Sequence, residues 1–206
     1  MARVLLVDDH PVVRQGLARV LTAEIPDIEI EDAVDGRTAV ERLRASRFDL
    51  VLLDLQMPGD SGLTLLRKLR REFAAIPILV VSMHPVDQFA PRALQAGAVG
   101  YVAKDSDPAE LVAAVRSALA GGQHVPAEVQ EASRLEVERP PHAALSDREY
   151  QVLRMIGSGR TVSEVADELG LSVKTVSTYR ARILEKLHLR TSAELIHYAV
   201  VNKLVS

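Results

Sequence analysis

Four short apolar runs, each leading to a reactive polar side chain, constrain this chain more than any other feature. Val4-Leu5-Leu6-Val7 stops at Asp8 and Asp9, and Leu50-Val51-Leu52-Leu53 stops at Asp54. Ile78-Leu79-Val80-Val81 stops at Ser82, and Val99-Gly100-Tyr101-Val102 ends just before Lys104. A continuous apolar run of this length is the pattern of a strand covered on both faces, which belongs in a parallel sheet between helix layers. Ile28-Glu29-Ile30 is a weaker fifth strand. Helical stripes fill the gaps: Val13, Leu17, Val20 and Leu21; Ala39, Val40 and Leu43; Leu63, Leu66 and Leu69. Asp107 as N-cap, Pro108 at the first helical position and Glu110 open the last helix, whose buried face is Leu111, Val112, Val115 and Leu119. Five strands alternating with five helices make a doubly wound α/β domain with a five-stranded parallel sheet. Pro91 falls where a fourth helix is expected, so that helix is predicted to start late or to kink.

The rest of the chain has a different character. Gly121-Gly122 closes the last α/β helix, and Pro126 and Pro140-Pro141 punctuate the next stretch. Residues 123–143 read as a linker, with a short, lightly packed helix over Ala127 to Arg139. From residue 144 only helix signals occur. Ser146/Glu149, Thr161/Glu164 and Thr191/Glu194 are three capping boxes, and a further helix starts at Ser172 after the break Gly170-Leu171. Helices joined by a tight Gly-containing turn in a four-helix bundle are the helix-turn-helix pattern. The domains are therefore predicted at 1–122 and 144–206. The front segment carries 14 basic and 17 acidic side chains, the back one 9 and 7. The chain is acidic in front and mildly basic behind. Its net charge of −3 excludes a generally basic nucleic-acid coat.

Composition narrows the chemistry further. There is no cysteine, which removes disulfides, thiolate zinc sites and a cysteine nucleophile. The apolar runs fall far short of the roughly 20 residues that a membrane helix needs. The N-terminus meets two acids at once and has no cleavable signal pattern, so a soluble cytoplasmic protein with no membrane partner is expected. In an open α/β sheet, ligands bind beyond the carboxyl ends of the strands. Four strands here deliver three carboxylates, a hydroxyl and an amine to that edge. Crowded carboxylates repel one another and call for a hard cation, and oxygen donors favour Mg²⁺. A lysine beside them suits a phosphoryl oxygen.

Val-Asp-Asp-His-Pro, Leu-Asp-Leu-Gln-Met-Pro-Gly-Asp-Ser-Gly, Val-Ser-Met-His and Gly-Tyr-Val-Ala-Lys-Asp together resemble the receiver domain of bacterial two-component response regulators. The resemblance covers the whole front domain and implies a flavodoxin-like fold. It implies that Asp54 is the phosphoryl acceptor and that Lys104 contacts the phosphoryl group. It implies that Mg²⁺ is held by Asp9, Asp54 and the backbone carbonyl of Gln56, with Asp8 acting through water. Ser82 and Tyr101 correspond to the switch pair, the hydroxyl moving to the phosphoryl group and the ring turning inward. Gln56 and His84 are placed to tune the lifetime of the aspartyl phosphate, His84 otherwise being an exposed loop residue. Pro58-Gly59 shapes the neighbouring turn.

The third back helix, about Ser172 to His188, carries Lys174, Arg180, Arg182 and Lys186, with Val173, Val176, Ile183, Leu184 and Leu187 as its core face. Residues 144–206 resemble the LuxR-type effector domain, and with a receiver in front the chain resembles a NarL/FixJ-type response regulator. By that resemblance Lys174, Thr175, Tyr179 and Arg182 contact DNA phosphates, while Ser177, Thr178 and Ala181 lie where base edges are read. The implied activity is transcriptional regulation. A histidine kinase phosphorylates Asp54, and the modified receiver favours a homodimer that binds a two-fold-related double-stranded operator. The receiver catalyses only its own phosphoryl transfer and autodephosphorylation. Two alternatives are a phosphorylation-independent DNA binder and a phosphohydrolase. The second needs an acid two residues after the nucleophile, where Gln56 stands.

Overall fold

In the computed structural model, residues 1–57, 62–127, 129 and 140–205 are described. The Pro58-Gly59 turn and nearly all of the expected helix from Ala127 to Arg139 lie outside them. The chain divides into two compact units, Met1–Val137 and Glu138–Ser206.

The front unit alternates β1 (Ala2–Val7), α1 (Pro11–Glu24), β2 (Ile28–Ala33), α2 (Gly36–Ala45), β3 (Leu50–Leu53), α3 (Gly62–Glu72), β4 (Ile78–Ser82), α4 (Val86–Gln95), β5 (Gly100–Ala103) and α5 (Pro108–Leu119). The five strands form one sheet in the order β2-β1-β3-β4-β5. Every pairing is parallel, with Val4 beside Leu50, Val51 beside Ile78 and Leu79 beside Gly100. The apolar runs behave as their composition requires. Val4 and Leu6, Leu50 and Leu52, Leu79 and Val81, and Val102 join Leu21 of α1 and Leu111, Val112 and Val115 of α5 in one buried cluster. The alternate strand positions Leu5, Val7, Val51, Leu53, Ile78, Val80 and Tyr101 are equally buried.

The weak strand signal at Ile28 has a physical cause. β2 is an edge strand, and its Glu29, Glu31 and Asp32 are engaged by Arg3, Arg42 and Arg14. Charge on an edge strand discourages unwanted pairing and masks the apolar pattern. After α5, His124 forms a parallel bridge to Gly100, its carbonyl accepting from the Tyr101 N–H at 3.2 Å. Pro126 and Val129 are also buried, so the chain stays packed on the front unit for several residues beyond Gly122.

Of the two outcomes expected for α4, the structure excludes the late start. The helix starts not at Pro91 but at Val86, a full turn earlier, with the Pro85 carbonyl accepting from the Gln88 and Phe89 N–H groups. Phe89, Ala90 and Ala93 are buried on one face of this helix. Burial of that apolar face outweighs the hydrogen bond that proline cannot make.

The back unit contains a short 3₁₀ turn (Pro141–Ala144), then α6 (Asp147–Gly157), α7 (Val162–Leu169), α8 (Val173–Lys186) and α9 (Ser192–Val201). Ser146 with Glu149, and Thr161 with Glu164, form reciprocal capping boxes. The third expected box is only half formed. Thr191 accepts from the Glu194 N–H, but the Glu194 carboxylate turns to the Arg190 N–H at 2.7 Å. Gly170 ends α7 at φ 63°, a left-handed cap that favours glycine, and Ser172 caps α8. Val173 is not a core residue, being 50% exposed, whereas Val176, Ile183 and Leu187 are buried.

Glu149 is nearly fully buried and binds Lys186 Nζ at 2.6 Å, linking α6 to α8. Burial alone would raise its carboxyl pKa. The Lys186 ammonium and the Ser146 N–H and hydroxyl outweigh that and hold it below the usual carboxylate range. A depressed folded-state pKa adds stability above the unfolded value of about 4.3, and this is lost as pH falls through the folded value. Glu149→Gln is therefore expected to destabilise the back unit by about 1 kcal/mol at pH 7, with the difference vanishing toward pH 3. Thermal unfolding followed by NMR at Tyr150 and Val152 of the full chain, at both pH values, measures it.

Candidate functional site

β1 and β3 are neighbours in space but not in sequence, and the sheet order reverses between them, which opens a crevice at their carboxyl ends. Asp8 and Asp9 leave β1 there, Asp54 leaves β3, Ser82 ends β4, and Lys104 follows β5. Lys104 Nζ lies 2.6 Å from Asp8 Oδ2 and 2.7 Å from Asp54 Oδ2. Both aspartates are almost fully buried, and the lysine side chain is only 6% exposed. Burial pushes the Asp54 carboxyl above its usual range despite the adjacent ammonium. Burial would depress Lys104, but its bonds to Asp54 and Asp8 hold it above the usual lysine range. The Gln56 N–H donates to Asp54 Oδ1 at 3.0 Å, which orients the carboxylate, so Gln56 meets Asp54 through its backbone.

Asp8, Asp9, His10 and Asp54 each offer a ligand atom within 4.8 Å of one another. Asp8 Oδ2 and Asp9 Oδ1 are buried without an aligned hydrogen-bond donor, the Lys104 contact to Asp8 being a close ion pair rather than a well-directed bond. Buried carboxylate oxygens short of donors are what a divalent cation satisfies, so the residues fit Mg²⁺. Two residues at this edge escaped the sequence reading. His10 Nδ1 is 2.9 Å from Asp9 Oδ1. Arg14 donates to the Asp8 carbonyl at 2.7 Å while its Nε binds Asp32. Position gave the only clue to His10, which directly follows the acids. Arg14 carried no sequence signal of its role.

Ser82 is fully buried, and its Oγ accepts from the His84 N–H at 3.3 Å. Tyr101 is also fully buried, its hydroxyl donating to the His84 carbonyl at 2.8 Å. The expected switch residues thus meet through one short segment, with the tyrosine ring turned inward. His84 is not the exposed loop residue expected from sequence. It is partly buried and stacks on Phe89 at 4.0 Å between ring centroids. Phe89 is carried there because α4 begins early.

On α8, Lys174, Ser177, Thr178, Ala181 and Arg182 are exposed, and Thr175 and Tyr179 are half-buried. Helical spacing puts Lys174, Ser177, Thr178, Ala181 and Arg182 away from the buried Val176 and Ile183, with Thr175 at the flank and Tyr179 on the same side as those two. Two of the helix's cations serve the fold instead: Arg180 Nε binds Ser192 Oγ at 2.6 Å, and Lys186 binds Glu149. Among the described residues Lys174 and Arg182 are left without an ion pair. The Thr178 hydroxyl donates to the Lys174 carbonyl, and the Thr175 and Ser172 hydroxyls are hydrogen-bonded to each other.

Residues 4–116 match the response regulator receiver domain, and residues 143–199 match the luxR family of bacterial regulatory proteins. The chain is a LuxR-family two-component response regulator. Response regulator UvrY of Escherichia coli is 38% identical to it over 206 residues, covering 97% of this chain and 94% of that protein. Response regulator GacA of Pseudomonas viridiflava is 39% identical over 211 residues, covering 100% and 98%. RcsB from Salmonella enterica serovar Typhimurium, solved bound to promoter rprA in the presence of phosphomimetic BeF3⁻, superimposes with a TM-score of 0.70 at 27% identity, covering 96% of this chain and 97% of that one. The regulator thus pairs a receiver with a luxR-family helix-turn-helix DNA-binding domain. Among the described residues no helix is long and apolar enough to cross a membrane.

Proposed function

We propose that the regulator is a cytoplasmic phospho-switch in which residues 1–122 receive, 123–143 link and 144–206 bind an operator. The observation that carries this reading is the Lys104 ammonium bridging Asp8 and Asp54 at the sheet's switch point. An Asp54 oxygen attacks the phosphorus of a phosphohistidine on a partner kinase; the new P–O bond forms as the P–N bond breaks, and the histidine leaves. Asp8, Asp9, Asp54 and the Gln56 carbonyl would hold Mg²⁺, which supplies charge neutralisation to the transferring group. Lys104 exchanges its carboxylate partners for a phosphoryl oxygen. Ser82 donates to another, and this withdraws the Oγ from the His84 N–H. The segment that also holds the Tyr101 hydroxyl then shifts, a differential contact that can bias a pre-existing equilibrium. Hydrolysis of the aspartyl phosphate resets the switch.

In the back unit, Lys174, Thr175, Tyr179 and Arg182 contact phosphates, and Ser177, Thr178 and Ala181 face base edges in the major groove. Two linked half-sites in a phosphorylated homodimer raise effective concentration, which one small module needs to bind tightly. Arg182→Ala is expected to weaken binding about equally across DNA sequences and to lower the salt-dependence slope by about 1, as measured by fluorescence anisotropy at several salt concentrations.

The test of the whole reading is DNA affinity and oligomeric state with and without Mg²⁺ plus beryllofluoride, beside Asp54→Asn. Wild type should dimerise and bind its operator more tightly on treatment, while the variant should not respond. Identical behaviour of wild type in both states, with Asp54 modification confirmed, would sink it in favour of phosphorylation-independent binding.

A further inference from the structure

We infer that the start of the linker, residues 123–126, is an output strand: it pairs with the outer edge of β5 at Tyr101 and relays that residue's displacement toward the DNA-binding unit. This rests on the reading of Asp54 phosphorylation as the input and of Ser82 and Tyr101 as the switch pair.

β5 stands at the edge of the sheet, where its outward N–H and C=O groups have no neighbouring strand. Their partner comes from beyond α5. The His124 N–H donates to the Val99 carbonyl at 2.9 Å, and the His124 carbonyl accepts from the Tyr101 N–H at 3.2 Å. Tyr101 is thus engaged at both ends, its hydroxyl by the His84 carbonyl and its amide by the linker. The ring is fully buried, and a close-packed interior transmits strain. A shift at the hydroxyl end therefore reaches the backbone of β5. The Tyr101 bond is the longer of the two and gives first.

The close approach is written into Gly100. It is not among the glycines with positive φ, so no turn requires it. A Cβ there would meet the His124 carbonyl oxygen at 2.6 Å and Leu79 Cδ1 at 2.8 Å. The leucine can rotate away, but the carbonyl can only leave with the linker. The chain is returned to β5 by Gly121 at φ 79° and by the Gly122 N–H, which donates to the Ser117 carbonyl at 2.8 Å. The Ser117 hydroxyl donates to the Gln123 carbonyl at 3.2 Å, and His124 Nε2 lies 3.4 Å from Glu110 Oε1. The segment is therefore held to α5 by its turn and to β5 by one bridge. Two hydrogen bonds are few enough for a modest differential contact at the switch to shift the balance between paired and unpaired.

The experiment uses the full chain, with a DNA fragment selected for binding by the beryllofluoride-treated wild type. Hydrogen exchange at the Tyr101 and His124 amides is followed by NMR with and without Mg²⁺ plus beryllofluoride, whose uptake is read by ¹⁹F NMR. In wild type both amides should exchange about tenfold faster after modification. In Gly100→Ala both should exchange fast in either state. That variant should still take up beryllofluoride, but its DNA affinity should change less than about twofold on treatment. His124→Ala keeps both backbone bonds and should respond to treatment within about twofold of wild type. Should Gly100→Ala fail to fold, His124→Pro removes the donor to Val99 without adding an atom to β5, and the same loss of response is expected. A Gly100→Ala or His124→Pro protein that takes up beryllofluoride and tightens on DNA as much as wild type overturns the inference. So does wild-type exchange at these two amides that modification leaves unchanged. Wild type whose DNA affinity ignores confirmed modification of Asp54 overturns the phospho-switch reading itself, and the inference with it.

Discussion

Lys104→Met should lower the stability of the front unit by about 3 kcal/mol in metal-free buffer, the scale expected when one partner of a buried ion pair is removed. The methionine fills the volume of the lysine stem, so the loss is electrostatic rather than a cavity effect. What remains is Asp8 and Asp54, both nearly fully buried, facing one another without the ammonium that now lies within 2.7 Å of each. Two consequences distinguish this electrostatic loss from simple misfolding. Millimolar Mg²⁺ should raise the unfolding midpoint of the variant more than that of wild type, because the cation replaces the missing charge. Adding Asp54→Asn to Lys104→Met should recover most of the loss, because only one carboxylate is then left without a partner. The double-mutant cycle isolates this coupling. Urea unfolding with and without Mg²⁺ measures both. Equal, Mg²⁺-independent destabilisation in the single and double variants would rule the electrostatic origin out.

Gly62→Ala is expected to cost more than about 3 kcal/mol, or to abolish folding of the front unit, because the clash is with backbone. Gly62 is the first residue of α3, and a Cβ there would meet Leu55 Cα at 2.2 Å and the Leu55 carbonyl oxygen at 2.4 Å. No rotamer change relieves that contact. The start of α3 would have to retreat from the residue that directly follows Asp54, so the acceptor would be misplaced even if the unit folded. Gly16 is the internal control. It sits inside α1, and a Cβ there meets nothing within 4 Å. Gly16→Ala should therefore stabilise the protein by roughly 0.5–1 kcal/mol through helix propensity alone. Opposite signs for one substitution at two helical glycines, read by thermal unfolding, would separate close backbone approach from propensity.

The strands, the order of elements and the group at each strand end were legible because the strands are short and wholly buried. Such strands consist of apolar side chains and little else, and each polar interruption marks an end. Edge strand β2 read poorly for the converse reason, since its charged side chains pair with Arg3, Arg14 and Arg42 at the rim instead of lining a core. Helix starts in the back unit were legible through their capping chemistry, a local interaction written in four consecutive residues. Thr191/Glu194 shows the limit of that logic. The same letters form only half a box when the carboxylate has the Arg190 N–H as a competing partner.

The features readable from the letters alone were therefore local or strongly periodic: the two-unit division, the parallel sheet, the helix-turn-helix pattern and the strand-end set Asp8, Asp9, Asp54, Ser82 and Lys104, with Tyr101 singled out only by the resemblance to receivers. Tertiary packing was needed to choose which of many similar polar groups meet. Nothing in the sequence separates Lys186 and Arg180, which bond to neighbouring helices, from Lys174 and Arg182, which make no ion pair among the described residues. Nor does it show that α4 runs through Pro91 and brings Phe89 against His84, or that the ring of His10 faces Asp9. The physical reason is range. Hydrophobic periodicity and capping act within a few residues and leave their trace in the letters, whereas ion pairs, ring stacking and close backbone approach act between segments far apart in sequence and exist only once the core has brought them together.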